Sequence, residues 1–175
     1  MGLRPGMIPE PDIRYDRSPA MSLDIRAIAS RDEIERCARL MASSEPWITL
    51  QRDVEQSRRI LSNPALERYV ARDDGALAGF LILDLQGVFA GYLKTVCVAP
   101  EFRNLGIGTT LVHFAEDRIF HEHQNVFLLV SSFNRDAQRM YERLGYEVVG
   151  ELRDFVVQGH SEILLRKTIG PLKSA

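Results

Sequence analysis

Apolar and polar residues follow one another along the chain in short blocks that predict strands and helices. Alternating or continuously apolar runs predict strands at 23–28, 68–72, 77–85, 92–99, 126–130, 146–151 and 161–167. Apolar residues three and four positions apart predict four helices, which begin near residues 30, 50, 107 and 134. The order β-α-α-β-β-β-α-β-α-β-β mixes hairpins with a strand-helix-strand unit. We therefore expect an α/β fold with a mixed sheet and helices on both faces.

Local signals mark several element boundaries. The sequence of residues 30–33 matches the capping-box motif, with Ser30 and Glu33 at its two ends, and it predicts the start of the first helix. The pair Asn63-Pro64 predicts the end of the second helix. The triplet Asp73-Asp74-Gly75 predicts a tight hairpin turn between two strands.

The length of 175 residues suits a single domain, which we assign to residues 23–170. Residues 1–22 are rich in proline and lack the apolar run of a secretory signal, so we expect an irregular N-terminal segment. Patterned sequence begins directly after Met21, which makes Met21 a candidate translation start. The isolated residues Cys37 and Cys97 predict free thiols and, with them, a reducing cytoplasmic location.

The charge pattern narrows the choice of partners. The chain has 24 acidic and 22 basic residues, with no basic run of the kind that binds nucleic acid. No apolar stretch is long enough to span a bilayer. We therefore expect neither a nucleic-acid nor a membrane partner.

The segment from Val96 to Thr109 carries the clearest chemical signal. A buried strand runs into a turn with Gly106 and Gly108, and a helix follows at once. Free N–H groups and the positive end of the helix dipole make such a turn an anion site, and glycine lets a phosphate approach the backbone. Arg103 adds a positive charge, so a diphosphate is the expected ligand. No third glycine follows to complete the G-x-G-x-x-G motif of a dinucleotide site. The Gly-Lys-Ser/Thr triplet of a nucleotide P-loop is also absent from this segment.

A second motif lies downstream, where Ala137, Met140, Tyr141 and Leu144 form an apolar stripe at helical spacing. Asn134 is a candidate N-cap, and Gly145 is a candidate C-terminal stop. Asn134 and Tyr141 are two turns apart and share one face of this helix.

Together the spellings V-x-V-x-P, R-x-x-G-x-G and N-x-x-A-x-x-x-Y-x-x-x-G-[FY] resemble the signature of the GNAT superfamily of N-acetyltransferases. The resemblance covers roughly residues 23–168 and agrees with the GNAT order of elements. It implies that acetyl-CoA donates an acetyl group to a primary amine of a small molecule or a peptide. Family habit also implies a homodimer through C-terminal edge strands.

The resemblance also implies roles for individual residues. The strand at 92–99 is expected to carry a bulge and to part from the strand at 126–130, leaving a gap for the pantetheine arm. The main-chain N–H of Val98 would polarise the acetyl carbonyl, and Tyr141 would be the general acid. The residues expected to bind the coenzyme are Val96, Cys97, Val98, Arg103, Asn104, Leu105, Gly106, Ile107, Gly108, Thr109 and Asn134.

The sequence leaves the general base, the role of Trp47 and the acyl chain length open. Some family members that acetylate protein N-termini carry a glutamate where this chain has Leu129, so a water relay, Asp84 or Glu151 remain alternatives for the general base. Trp47 is a candidate for the acceptor pocket or the core. The sequence His121-Glu122-His123 does not have metal-ligand spacing on a helix, and we expect no metal. A binding module that senses acyl-CoA without turnover is the alternative function, and the acyl chain length stays open.

Overall fold

The computed structural model describes residues 15–16 and 22–172. Most of the predicted irregular segment, including Met21, lies outside the described residues. The elements are β1 Tyr15–Asp16, β2 Ser22–Ala27, α1 Arg31–Ala42, α2 Val54–Leu61, β3 Glu67–Asp73, β4 Ala76–Asp84, β5 Tyr92–Val98, α3 Ile107–Phe120, β6 Asn125–Ser131, α4 Arg135–Arg143, β7 Glu147–Arg153 and β8 Ser161–Thr168.

The described strands form one mixed sheet in the order β1-β2-β3-β4-β5-β6-β8-β7. Only β5 and β6 run parallel; the other described neighbours are antiparallel. The predicted α/β class and element order are confirmed, and the two-residue β1 is an addition. Within residues 22–172, no helix is both long and apolar enough to cross a membrane.

Two hydrophobic cores cover the two faces of the sheet. Strand β4 sends Phe80 and Ile82 into the core beneath α1 and α2, while Leu81 and Leu83 join the core beneath α3 and α4. This division follows from the period-two alternation of side chains along a strand. The helical stripes predicted for α1 and α3 are likewise buried.

The N-terminus of α1 differs from an ideal capping box. The Ser30 hydroxyl accepts a hydrogen bond from the Glu33 N–H, as expected for an N-cap. The Glu33 carboxylate, however, accepts from the Ala29 N–H at 2.9 Å and pairs with Arg26 and Arg72. It thereby ties the first helix to β2 and β3.

The predicted start of α2 at residue 50 is wrong. Residues 46–52 form a hydrogen-bonded turn, in which the Arg52 N–H donates to the Trp47 carbonyl at 2.9 Å and Gln51 is left-handed. The helix begins after Asp53, whose carboxylate and Gln56 form a complete capping box. The Asp53 cap, and not the spacing of apolar residues, therefore determines where α2 begins.

The parallel strands β5 and β6 separate soon after they begin. Their pairing is limited to Tyr92 and Phe127, next to the bond from the Phe127 N–H to the Gly91 carbonyl at 3.0 Å. In the pairing of β4 with β5, Lys94 is an extra residue between the partners of Ile82 and Leu83. This is a β-bulge, and it confirms the expected distortion of β5.

Candidate active site

A cleft of about 900 Å³ occupies the gap between the diverging strands. One end is formed by the glycine turn before α3 and by α4. The other end is formed by the turn between α1 and α2, the start of β5, the last residues of β6 and the segment between β7 and β8. The two sequence motifs therefore border the same cavity.

The turn before α3 presents free main-chain donors. No described residue accepts a hydrogen bond from the N–H groups of residues 104–109. Asn104 and Gly106 adopt left-handed conformations, with φ of 62° and 82°, which fold the chain tightly ahead of the helix. Free amides at the positive end of a helix dipole stabilise a bound phosphate.

The side chains of this turn face different surroundings. Leu105 is exposed and Ile107 is buried in the core, so neither side chain lines the cleft. A Cβ on Gly106 would touch no other residue, so its left-handed backbone is what requires glycine. A Cβ on Gly108 would lie 3.5 Å from Met140 Sδ and 3.7 Å from Val98 Cγ2, which is ordinary packing at the cleft wall.

Arg103 lies across the end of β5. Its Nε donates to the Val98 carbonyl at 3.3 Å, and its guanidinium reaches Ser44 Oγ at 3.5 Å. Arg139 and Arg143 of α4 also line this end, and Arg139 pairs with Asp136. Neither Arg139 nor Arg143 was predicted from the sequence, although their spacing of four residues places them on one side of the helix.

The residues of β5 that were expected to contact the coenzyme differ in what they present to the cleft. Val96 and Val98 are half-buried and line the cleft. The Cys97 side chain is 3% exposed and belongs to the core beneath α1, where burial raises the pKa of its thiol to about 12. Cys97 therefore offers main-chain atoms, and not a reactive thiolate, to a ligand.

Asn134 and Tyr141 stand where the helix periodicity predicts. The Asn134 side-chain oxygen caps α4 by accepting from the Ala137 N–H at 3.3 Å. Tyr141 lines the cleft, is 7% exposed, and packs edge-on against Tyr146 with ring centres 5.4 Å apart. Its hydroxyl makes no hydrogen bond to a described residue, and burial raises the pKa of the phenol, with a smaller contribution from Tyr92. The phenol thus stays protonated at neutral pH.

A buried carboxylate that was not predicted from the sequence lies at the other end. Glu162 of β8 is 5% exposed, lines the cleft, and accepts a hydrogen bond from the Ser131 hydroxyl at 2.8 Å. Burial raises the pKa of Glu162, while the bond from Ser131 and the charge of Arg52 oppose that shift. Neither Asp84 nor Glu151 lines the cleft, so the two carboxylates suggested as bases are not at this site. The available signal was an acid directly before the apolar run 163–165 of a predicted strand.

Trp47 is 7% exposed in the core beneath α1 and also lines the cleft, so its core role is confirmed and its acceptor-pocket role stays a prediction. His160 packs on Phe133, with ring centres 4.9 Å apart, and is not part of the cleft wall. In the described part of the chain, no three His, Cys, Asp or Glu residues gather as metal ligands would.

The mixed sheet, the diverging strands and the turn of free main-chain N–H groups define an acyltransferase-like α/β domain. The chain matches the acetyltransferase (GNAT) family over residues 30–146, and it belongs to that family. It is 26% identical over 110 residues to an N-alpha-acetyltransferase of Sulfurisphaera tokodaii, covering 55% of this chain and 66% of that protein. The chain spans less than two thirds of the length of the curated relatives that it matches.

Solved structures share the fold. A GNAT-family acetyltransferase of Desulfovibrio desulfuricans is similar over 85% of this chain and 99% of its own, with a TM-score of 0.71 and 17% identity. A spermidine N-acetyltransferase of Vibrio cholerae, in complex with CoA and spermine, is similar over 83% of this chain and 95% of its own. Its TM-score is 0.65 and its identity 20%. The family predicted from the two sequence motifs is thus confirmed.

Proposed function

We propose that the protein is an acetyl-CoA-dependent N-acetyltransferase that acts on a primary amine of a small molecule or peptide. The observation that carries the proposal is the row of unbonded N–H groups at residues 104–109, beside a cleft that also contains Tyr141. Family membership supports it. So do the relatives, which include an N-alpha-acetyltransferase and a spermidine N-acetyltransferase crystallised with CoA.

The residues of the cleft suit the parts of the coenzyme. The amides of residues 104–109 would hold the pyrophosphate, and Arg103, Arg139 and Arg143 would add positive charge for its phosphates. The Asn134 amide nitrogen and the unpaired edge of β5 would bind the pantetheine arm. Bound acetyl-CoA supplies an activated acetyl group as a thioester.

The proposed chemistry assigns each proton to a group of the chain. An ammonium has no lone pair, so Glu162 accepts a proton from the acceptor before the nitrogen attacks the carbonyl carbon. The Val98 N–H stabilises the negative charge on the carbonyl oxygen. As the C–N bond forms and the C–S bond breaks, Tyr141 donates a proton to the sulfur. The new amide nitrogen loses its second proton, which restores the phenol, and the proton on Glu162 passes to solvent.

Two measurements on the full chain test this function. Calorimetric titration with CoA is expected to show saturable binding, and thiol release from acetyl-CoA is expected with at least one class of primary amine. Absence of CoA binding would overturn the proposal at its root. Binding without thiol release across amino acids, polyamines, aminoglycosides and peptides would favour the alternative, an acyl-CoA-binding sensor.

Assembly as a homodimer and a cytoplasmic location stay predictions. The edge strand β7 supports the first, because Val148 and Val149 expose 71% and 54% of their surfaces. Light scattering of the purified chain is expected to give twice the mass of one chain, and the mass of a monomer would contradict the dimer.

A further inference from the structure

One part of the cleft wall, outside the glycine turn, carries two opposite charges. Glu162 and Arg52 both line it, together with Tyr92 and Leu129. The acceptor of an acetyl group would enter here, because the coenzyme would fill the end at the glycine turn. The charges in this part of the cleft therefore bear on the chemical class of the acceptor, and any choice of that class rests on the proposed function.

The Arg52 side chain makes no direct contact with an acid among the described residues. It is half-buried in the cleft wall, yet its guanidinium donates no hydrogen bond and forms no ion pair there. By contrast, Arg26, Arg58 and Arg118 each pair with a glutamate. Burial lowers the pKa of Arg52, and the nearby charge of Glu162 opposes that shift only in part. Such a group gains free energy when a ligand supplies an anion.

The hydrogen-bonded turn before Arg52 fixes the position of its backbone. Glu45 also lines the cleft, but its two carboxylate oxygens accept hydrogen bonds from the Thr49 N–H and hydroxyl at 3.2 and 3.1 Å. These bonds hold the turn that precedes Arg52. Glu45 is therefore engaged within the turn, and the guanidinium is left for a ligand.

A second cation reinforces the positive side of this part of the cleft. The Lys94 ammonium lies 5.8 Å from the centre of the Tyr92 ring, and Lys94 also lines the cleft. Glu162, on the negative side, has one carboxylate oxygen bonded to Ser131, and the other accepts no hydrogen bond from a described residue. This part of the cleft thus offers a carboxylate to an ammonium and a guanidinium to an oxyanion.

We propose that the acceptor is an amine that also carries an oxyanion, a carboxylate or a phosphonate, and that Glu162 receives its ammonium while Arg52 binds its oxyanion. A planar guanidinium binds either oxyanion through two parallel hydrogen bonds. A polyamine is disfavoured, because its second ammonium would meet the partly desolvated charge of Arg52, with the exposed Lys94 nearby. Arg52 is thus a specificity-determining residue.

Matched acceptors test this directly. Thiol release is measured with sets of amines that differ only in carrying a carboxylate, a phosphonate, a carboxamide or hydrogen at one carbon, with spermidine alongside. The wild-type chain is expected to prefer one oxyanion-bearing member over its neutral counterpart by about tenfold or more in kcat/KM. The carboxylate and phosphonate arms identify which oxyanion is used.

Variants separate the two charges. Arg52→Gln is expected to raise KM for the oxyanion-bearing amine by about tenfold and to affect the neutral amine far less. Arg59→Gln, an exposed position of α2 outside the cleft wall, is the matched control and is expected to leave the preference unchanged. Glu162→Gln is expected to lower kcat for both amines, because it removes the proton acceptor.

A binding measurement keeps the result decisive if turnover is slow. Calorimetric titration of the CoA-saturated chain with the oxyanion-bearing amines is expected to show binding that Arg52→Gln weakens. Preference for neutral amines or spermidine, a preference that survives Arg52→Gln, or binding of none of these amines would overturn the inference. Failure of the chain to bind CoA at all would instead overturn the proposed function.

Discussion

Ser131 and Glu162 face each other across the β6–β8 ladder, and the serine hydroxyl donates a 2.8 Å hydrogen bond to the buried carboxylate. This bond stabilises the charged form of Glu162 and so lowers a pKa that burial raises. The pair therefore sets the pH above which Glu162 can accept a proton.

Replacing Ser131 by alanine is expected to shift the acidic limb of the pH dependence of kcat/KM to higher pH. The base must be ionised, so activity rises as the pH passes its pKa, and that pKa increases when the hydrogen bond is lost. Ser132→Ala, which changes the neighbouring hydroxyl, is the control and should leave the limb in place. An unchanged or lower limb in Ser131→Ala would exclude Glu162 as the base.

Tyr141→Phe is expected to lower kcat by about a hundredfold, because the departing thiolate loses its proton donor. CoA affinity and melting temperature should change little, since the hydroxyl bonds to no described residue. Steady-state kinetics, CoA calorimetry and thermal unfolding measure these quantities. Tyr146→Phe removes the hydroxyl of the ring that Tyr141 touches, outside the cleft wall, and should retain turnover. Equal turnover in both variants would remove Tyr141 from the chemistry.

Gly108→Ala is expected to separate stability from ligand binding. Alanine is favoured over glycine in a helix by about 0.5–1 kcal/mol, and its Cβ meets only ordinary contacts here, so the melting temperature should hold or rise. CoA binding should weaken by about tenfold, because a methyl group enters the wall of the anion site. Calorimetry and thermal unfolding decide the matter. Undiminished affinity would show that the coenzyme does not approach this position.

Gly91→Ala is expected to destabilise the fold by more than about 2 kcal/mol. Gly91 has φ of 89°, and a Cβ would overlap the Asn125 carbonyl and lie 2.8 Å from Ile119 Cγ2. Gly75→Ala, at a similar φ of 82° with open space around it, is the control and should cost only about 1–2 kcal/mol. Urea unfolding midpoints compare the two. Equal losses would mean that backbone conformation alone matters at Gly91.

Glu33→Gln is expected to lower the free energy of unfolding at pH 7 by about 1–2 kcal/mol. The loss is this small because Arg26 is partly exposed to solvent. The hydrogen bond from Arg26 lowers the pKa of Glu33 in the folded state. The carboxylate therefore contributes stability above its unfolded pKa, and this contribution is lost as the pH falls through the folded pKa. The difference between the variant and wild type should shrink below about pH 4. Asp32→Asn is the control, and a difference independent of pH would contradict this account.

The places of the glycine turn and of α4 beside one cleft could be predicted from the sequence because their signals are local. Gly106 and Gly108 stand next to the helix that they precede, and Asn134 and Tyr141 are related by the helical repeat alone. The hairpin turn at Asp74 and Gly75 was predictable for the same reason, since both residues adopt the positive φ that such a turn needs.

The part of the cleft wall with Glu162 and Arg52 could not be predicted, because it depends on register between distant elements. Glu162 meets Ser131 only through the pairing of β8 with β6, and no local pattern fixes that pairing. Arg52 was assigned to a helix interior by the spacing of Leu50, whereas the Asp53 cap leaves it in the preceding turn. A one-residue change in either register or boundary would move these charges away from the cavity.

The two hydrophobic cores share no side chain, although both abut the same sheet. Substitutions in the core beneath α1 and α2 can therefore change one part of the cavity wall without disturbing the core beneath α3 and α4. The glycine turn and the cavity lining next to α1 and α2 can therefore vary independently, which makes the α1–α2 layer the place to introduce a different lining.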